Sequence, residues 1–203
     1  MTPSSANIIK TGARLWYAPF VVASVEPLPD ETNINYAADW AANWERIALT
    51  SEAVKLLLMD ERMNVEVEEY LTPIKQYRIK FGGEITTVLA EVTADIYALL
   101  FGGTVSTTAA GASQKGYEEL DLDPTALVAE YTFGLEGFVD VAGVQQPVRW
   151  WIPKGAIALN GESEYSQKTD SYTKVPIKIT ALKDDVNDNP PFRWQRVTAA
   201  ATS

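Results

Sequence analysis

FGGEITTVLAEVTADIYALLFGG, residues 81–103, carries a change of period that sets the fold class. Ile85, Thr87 and Leu89 fall on one side of a period-two pattern and Thr86, Val88 and Ala90 on the other, as in a strand. The pattern then changes. Thr93 suits a helix N-cap, and Asp95 lies in the first turn, where a carboxylate meets the positive helix end. Ile96, Leu99 and Leu100 recur at helical spacing, and Gly102 and Gly103 can supply a left-handed C-terminal cap. A strand over residues 84–92 is therefore expected to run into one short helix over about 93–101.

Toward the N-terminus the signal stays β. IKQYRIKF sets Ile74, Gln76, Arg78 and Lys80 opposite Lys75, Tyr77, Ile79 and Phe81. Pro73 separates it from NVEVEEYL, residues 64–71, where Val65 and Val67 oppose Glu66 and Glu68. AVKLLLMD, residues 53–60, fits a helical turn by periodicity, but its polar borders and its neighbours favour a strand. Residues 44–49 are another candidate strand. Residues 26–43 hold Pro27, Pro29, Asn33 and Asn35 and read as a long loop. Its Tyr36 and Trp40 carry rings that need a surface to cover, on their own subunit or on a neighbouring one. ARLWYAPFVVAS, residues 13–24, contains an early strand limited by Pro19, and residues 1–11 read as an N-terminal arm.

Toward the C-terminus, residues 104–125 are rich in small residues and then acidic, and read as a flexible loop. Strand signals resume over 127–141, where Gly134 and Gly137 suggest a bulge or a close approach. VRWWIP and AIALNGESEYS supply the next pair. TKVPIKITAL, residues 173–182, sets Val175, Ile177 and Ile179 against Lys174, Lys178 and Thr180, and Pro176 favours an edge strand or a bulge. Residues 183–203 read as a turn, then a short strand or C-terminal arm with a frayed end. The expected fold is mainly β: one domain over 1–203, packed as a β-sandwich or partly closed β-barrel, with one short α-helix, extended loops and terminal arms.

Composition narrows the chemistry. The formal net charge is −10, whereas a protein that reads nucleic-acid sequence normally carries a basic face to neutralise phosphates. Cysteine and histidine are both absent. Disulfides and thiolate metal sites are thereby excluded, and the commonest general base is missing. MTPSSANIIKTGAR lacks the basic start and apolar core of a signal peptide, and no apolar run approaches the ~20 residues that span a bilayer. A cytoplasmic site of folding is expected. No local motif joins the acidic pairs Glu68–Glu69, Glu118–Glu119 and Asp184–Asp185 into a catalytic pair, and a solvated surface is the reading preferred. DDVNDN, residues 184–189, lacks the glycine and closing glutamate of a calcium loop and reads as a turn. The two FGG sequences match neither dinucleotide nor phosphate-loop patterns. Trp150 and Trp151 could stack on a sugar. On one strand, however, they face opposite sides, so one is core and the other meets a second sheet or a partner. Trp151 and, in the tail, Trp194 are accordingly candidate inter-subunit contacts with Tyr36 and Trp40. No enzymatic activity, metal or cofactor is expected.

Four segments, in order, resemble the major tail (tail tube) protein of long-tailed bacteriophages with non-contractile tails. They are TGARLWYAP, the stretch from WERIALTSEAVKLLLMDERMNVEVEEYL through TPIKQYRIKFGGEITTVLAEVTADIYALLFGG, VRWWIPKGAIAL, and TKVPIKITALKDD. They span residues 11–185, and the strand-to-helix element ending in Gly102 and Gly103 is the most distinctive. The resemblance implies a β-sandwich or barrel flanked by a helix, like the tube protein of type VI secretion. It implies sixfold rings whose strands join into an inner β-barrel, stacked into a tube that conducts DNA. Loops and arms would tie ring to ring. The implied partners are further copies of the chain and the tail terminator, tape measure and tail-tip proteins. Viral DNA would pass through the lumen without specific binding. The implied location is the virion, assembled in the bacterial host cytoplasm. Glu66 and Glu68 become candidate lumen residues, with an exposed outer sheet face as the other placement. Two further readings stay open: a tail terminator, head–tail connector or tube-like particle protein, and, from another class, a β-sandwich carbohydrate-binding module.

Overall fold

A computed structural model describes residues 9–21, 35–40, 43–66, 72–122, 125, 127–141, 143–164 and 173–198. Its elements in chain order are β1 (Ile9–Pro19), β2 (Glu45–Arg46), β3 (Lys55–Val65), β4 (Lys75–Leu89), α1 (Ala94–Phe101), β5 (Val105–Thr108), β6 (Tyr117–Leu120), β7 (Tyr131–Val141), β8 (Val144–Leu159), β9 (Val175–Ala181) and β10 (Arg193–Arg196). The chain is mainly β, as the alternation predicts.

Eight strands form one antiparallel sheet in the order β2-β1-β7-β8-β9-β4-β3, with β10 added to β8. β7 runs along one edge of β8. On the other edge residues 148–151 pair with β10 and residues 155–159 with β9. The two strand signals on either side of Pro153 thus merge into one strand. The register slips between Tyr131 and Phe133, and the buried Thr132 hydroxyl donates to the Pro153 carbonyl at 2.8 Å, satisfying a group the irregular ladder would otherwise strand. IKQYRIKF and EITTVL merge in the same way, through Gly82 and Gly83, into β4. A Cβ at Gly83 would stand 2.3 Å from the Leu57 carbonyl oxygen, so the close approach of β3 requires glycine there.

The main core lies on one face of the sheet. Leu15, Ile85, Leu89, Phe133, Ile152, Ile157, Ile177 and Ile179 meet there, and Ile96 and Leu100 of α1 pack onto them. The sheet curls but does not close into a barrel. Residues 47–51 cross between its ends instead: Ile47 N donates to Leu15 O (2.9 Å), Ala90 N to Leu49 O (2.8 Å) and Ser51 N to Val88 O (2.8 Å). α1 occupies the predicted span. Thr93 Oγ1 accepts from Ile96 N at 3.3 Å, and Gly102, at φ 78°, donates to Ala98 O at 2.8 Å.

Several expectations change. Residues 104–125 contain the β5–β6 hairpin, because Val105–Thr108 and Tyr117–Leu120 carry β-branched and aromatic side chains that pair across it. β9 is an interior strand despite Pro176. The Pro176 carbonyl accepts from Asn160 N at 2.8 Å, which directs its missing N–H toward the end of β8 and leaves the β4 ladder intact. The tail is docked as far as Val197, whose N donates to Pro147 O at 3.1 Å, so β10 belongs to the sheet and not to a free arm. The strand expected through Glu66 ends at Val65, where Ile74 N turns back to Val65 O at 3.0 Å. Of the expected N-terminal arm, residues 1–8 lie outside the described residues and residues 9–11 open β1 instead; residues 26–34 and 41–42 of the long loop and 199–203 of the C-terminal arm also lie outside the described residues.

Candidate functional site

The second face of the sheet is built by the same alternation that builds the first. Leu15 and Tyr17 of β1 face the core side, so Arg14 and Trp16 face away. Register then sets Trp16 beside Gly134 and Gly134 beside Trp151, with Arg14, Glu136 and Arg149 in the parallel row. Trp40 lies over these rows. Its ring stacks on Trp16 (5.4 Å between centroids, 10° between planes), and Trp44 meets it edge-on at 4.9 Å. Gly134 makes the room: a Cβ there would lie 2.3 Å from the Trp40 ring. Trp151 is covered by the Arg193 guanidinium at 4.7 Å. Trp40 and Trp151 are only 5% and 3% exposed, so their expected inter-subunit role is corrected to burial within the subunit. Tyr36 is half-buried on Phe138 (4.5 Å), with Arg14 5.6 Å above its ring. Trp194 of β10 stays half exposed, 6.5 Å from Trp150.

A buried ion pair lies beneath this cover. Arg149 Nη2 and Nε donate to Glu136 Oε1 at 3.1 and 3.2 Å, and both side chains are buried. Burial pushes the Glu136 carboxyl above its usual range, and the attraction of Arg149 offsets part of that. Glu136 Oε2 also accepts from Ala37 N at 3.4 Å, while Arg14 Nη1 donates to Ala37 O at 2.7 Å. Two charged side chains thus pin residue 37, whose φ of 74° is unusual for alanine, to the sheet. Sequence reading missed this network. The signal for it was a Glu and an Arg set in otherwise apolar strands, on the parity of Gly134 and Trp151.

Little in the described residues is arranged for chemistry. They contain no cluster of three or more metal-ligating side chains. A cleft of about 210 Å³ is lined by Tyr17, Glu45, Glu91 and Asp95, among others. Burial, then the Glu45 carboxylate that accepts from its hydroxyl, push the Tyr17 phenol upward, so it serves as a fixed donor. No helix among the described residues is long and apolar enough to cross a membrane. No protein-family model matches the chain, and no curated protein matches it either.

The other feature that stands apart is a ribbon. β9 pairs with residues 84–89 of β4, whereas residues 75–83 pair only with β3 among the described residues. The hairpin therefore continues past the sheet, with a bulge at Ile79 where Glu61 opposes Lys80 and Arg62 opposes Arg78. One face holds an ionic cluster, with Arg62 Nε 2.9 Å and Arg78 Nε 2.6 Å from the Asp60 carboxylate. Hydrogen bonds from Arg62 and then Arg78 hold Asp60 below its ordinary range. Leu57, Met63, Tyr77, Ile79 and Phe81 are all substantially exposed along the ribbon. The far edge of β3 has no strand partner among the described residues. Glu66 is exposed just beyond β3, and Glu68 lies outside the described residues.

Proposed function

We propose that this chain is a structural subunit that assembles with copies of itself, as a tail tube protein does, into stacked rings around a DNA conduit. The observation that carries the reading is the pair of open edges at the ends of the sheet. Among the described residues β3 has eleven residues of edge without a strand partner, and the outer edge of β1 at the other end is met by the two-residue β2 and by Ile47 N, which donates to Leu15 O. Open edges of this length are aggregation hazards unless a defined partner covers them. Pairing one copy's β3 edge with the next copy's β1 edge is heterologous, and such contacts close into rings when the rotation allows. Acidic composition suits a conduit that must not grip phosphates. The chain acts without catalysis or cofactor, in a virion, alongside terminator, tape-measure and tail-tip proteins. A terminator or connector subunit would use the same fold. The sugar-binding alternative loses its platform, because Trp151 is buried and Trp150 packs toward the main core.

Negative-stain microscopy and sedimentation of the purified chain test this. Rings or tubes of uniform width are expected at high concentration or on addition of preformed tail tips. A chain that stays monomeric under both conditions would falsify the proposal.

A further inference from the structure

The β3–β4 ribbon is amphipathic in an unusual sense. Its Asp60–Arg62–Arg78 face is satisfied internally. The opposite face is set by strand parity and register: Leu57, Met63 and Val65 lie along β3, with Tyr77 opposite Met63 and Lys75 opposite Val65. Lys80 joins them opposite Glu61. Leu57, Met63 and Tyr77 are each about half exposed. A two-stranded ribbon is marginal in water by itself, and exposed apolar side chains interleaved with charges along it mark a contact surface. On this face β4 contributes Lys75 and Lys80, with Glu61 of β3 opposite Lys80, whereas Arg78 belongs to the ionic face, in a chain of net charge −10.

A surface of opposite character stands on the β5–β6 hairpin. From residue 117 to 122 it carries Glu118, Glu119 and Asp121 with no cation: Tyr117 and Glu119 lie on one face of β6, Glu118 and Leu120 on the other, and Asp121 and Leu122 follow the strand, with Tyr117 and Leu122 51% and 57% exposed. The hairpin packs beside α1, with Leu120 close against Gly103, while the ribbon extends from the sheet. Charge and apolarity match between the two surfaces, and among the described residues neither is covered.

We propose that the apolar, lysine-bearing face of the β3–β4 ribbon docks on the acidic β5–β6 hairpin of a second copy of this chain. The proposal rests on the reading of the chain as a self-assembling subunit and names a contact within that assembly. Donor and acceptor are different surfaces, so each copy engages two neighbours and the contact propagates. Apolar side chains supply the buried area, and the lysines and carboxylates set register and encounter rate.

The absence of cysteine makes the test clean. Wild-type assembly is measured first by sedimentation. Met63→Cys and Leu122→Cys are then made as separate single variants, mixed, and mildly oxidised under assembling conditions. A disulfide-linked dimer is expected from the mixture and not from either variant alone. In parallel, Lys75→Glu with Lys80→Glu should raise the concentration needed for assembly about tenfold. Mixing in copies carrying Glu119→Lys with Asp121→Lys should restore it. Unchanged thermal melting shows that these surface variants fold. If the wild type assembles but the mixture gives no link and the lysine variant assembles normally, this docking is wrong and the subunit reading survives. A link formed by Met63→Cys alone overturns the acceptor assignment. A wild type that never assembles overturns both.

Discussion

Gly134 has no side chain because the Trp40 ring occupies the space one would need. Trp40 is itself sandwiched against Trp16 and cannot swing aside cheaply. Gly134→Ala should therefore cost about 1–3 kcal/mol by overpacking, or about 2–12 °C in Tm for a chain of this size. Gly82→Ala is the control, since a Cβ there meets nothing within 4 Å, and it should stay within about 0.5 kcal/mol of wild type. Equal melting temperatures for the two variants would overturn this account of the Trp40 seat. The close approach at Gly134 was legible as one of two options, because glycine inside a strand pattern signals a bulge or a near neighbour. The neighbour's identity was not. It depends on the register of β1, β7 and β8, which are far apart in sequence, and on a loop returning over them. Thr93 and Gly102, whose partners lie within one helical turn, were legible outright.

At the scale of elements, local pattern located α1 and most strands, but it divided β4 and β8 where proline or glycine interrupts the alternation. The turn from β9 toward β10 was also legible from its Asp and Asn residues. Asp184 is buried and accepts from Val186 N (3.3 Å), Asn187 N (3.0 Å) and the side chains of Asn187 and Asn189 (Nδ2 of Asn189 at 2.7 Å). Burial pushes its carboxyl upward, but these donors together outweigh burial and hold it below the ordinary value of 3.8. A depressed folded-state value means that the stabilisation is complete above the unfolded value and is lost as pH falls through the folded one. Asp184→Asn should therefore be destabilised relative to wild type at about pH 6, and the gap should narrow toward about pH 3. Urea titrations of both chains across that range would show it. A gap that widens on acidification would mean that the donors do not favour the ionised form. The turn delivers Arg193–Arg196 to β8, so removing everything after Lys183 would strip a paired strand from the sheet.

For the whole molecule, two electrostatic effects compete during assembly. Each copy carries a formal charge of −10, so copies repel at long range, while the ribbon and the acidic hairpin attract at contact. Their ranges differ. The screening length falls from about 30 Å at 0.01 M salt to about 8 Å at 0.15 M, which removes repulsion between distant surface charges before it weakens paired groups in contact. Near 1 M it is about 3 Å, and exposed pairs are screened as well, while apolar burial is not. The concentration needed for assembly should therefore fall as salt rises from about 0.01 to about 0.15 M, then level off or rise toward 1 M. Light scattering across a salt series at fixed pH reads this directly. A threshold that rises steadily from the lowest salt would show that contact pairs dominate and that net charge does not set the barrier. The Lys75→Glu, Lys80→Glu variant separates the two effects further: it adds negative charge and removes the attraction, so its threshold should fall more steeply with salt than that of the wild type and should not rise again at the high end.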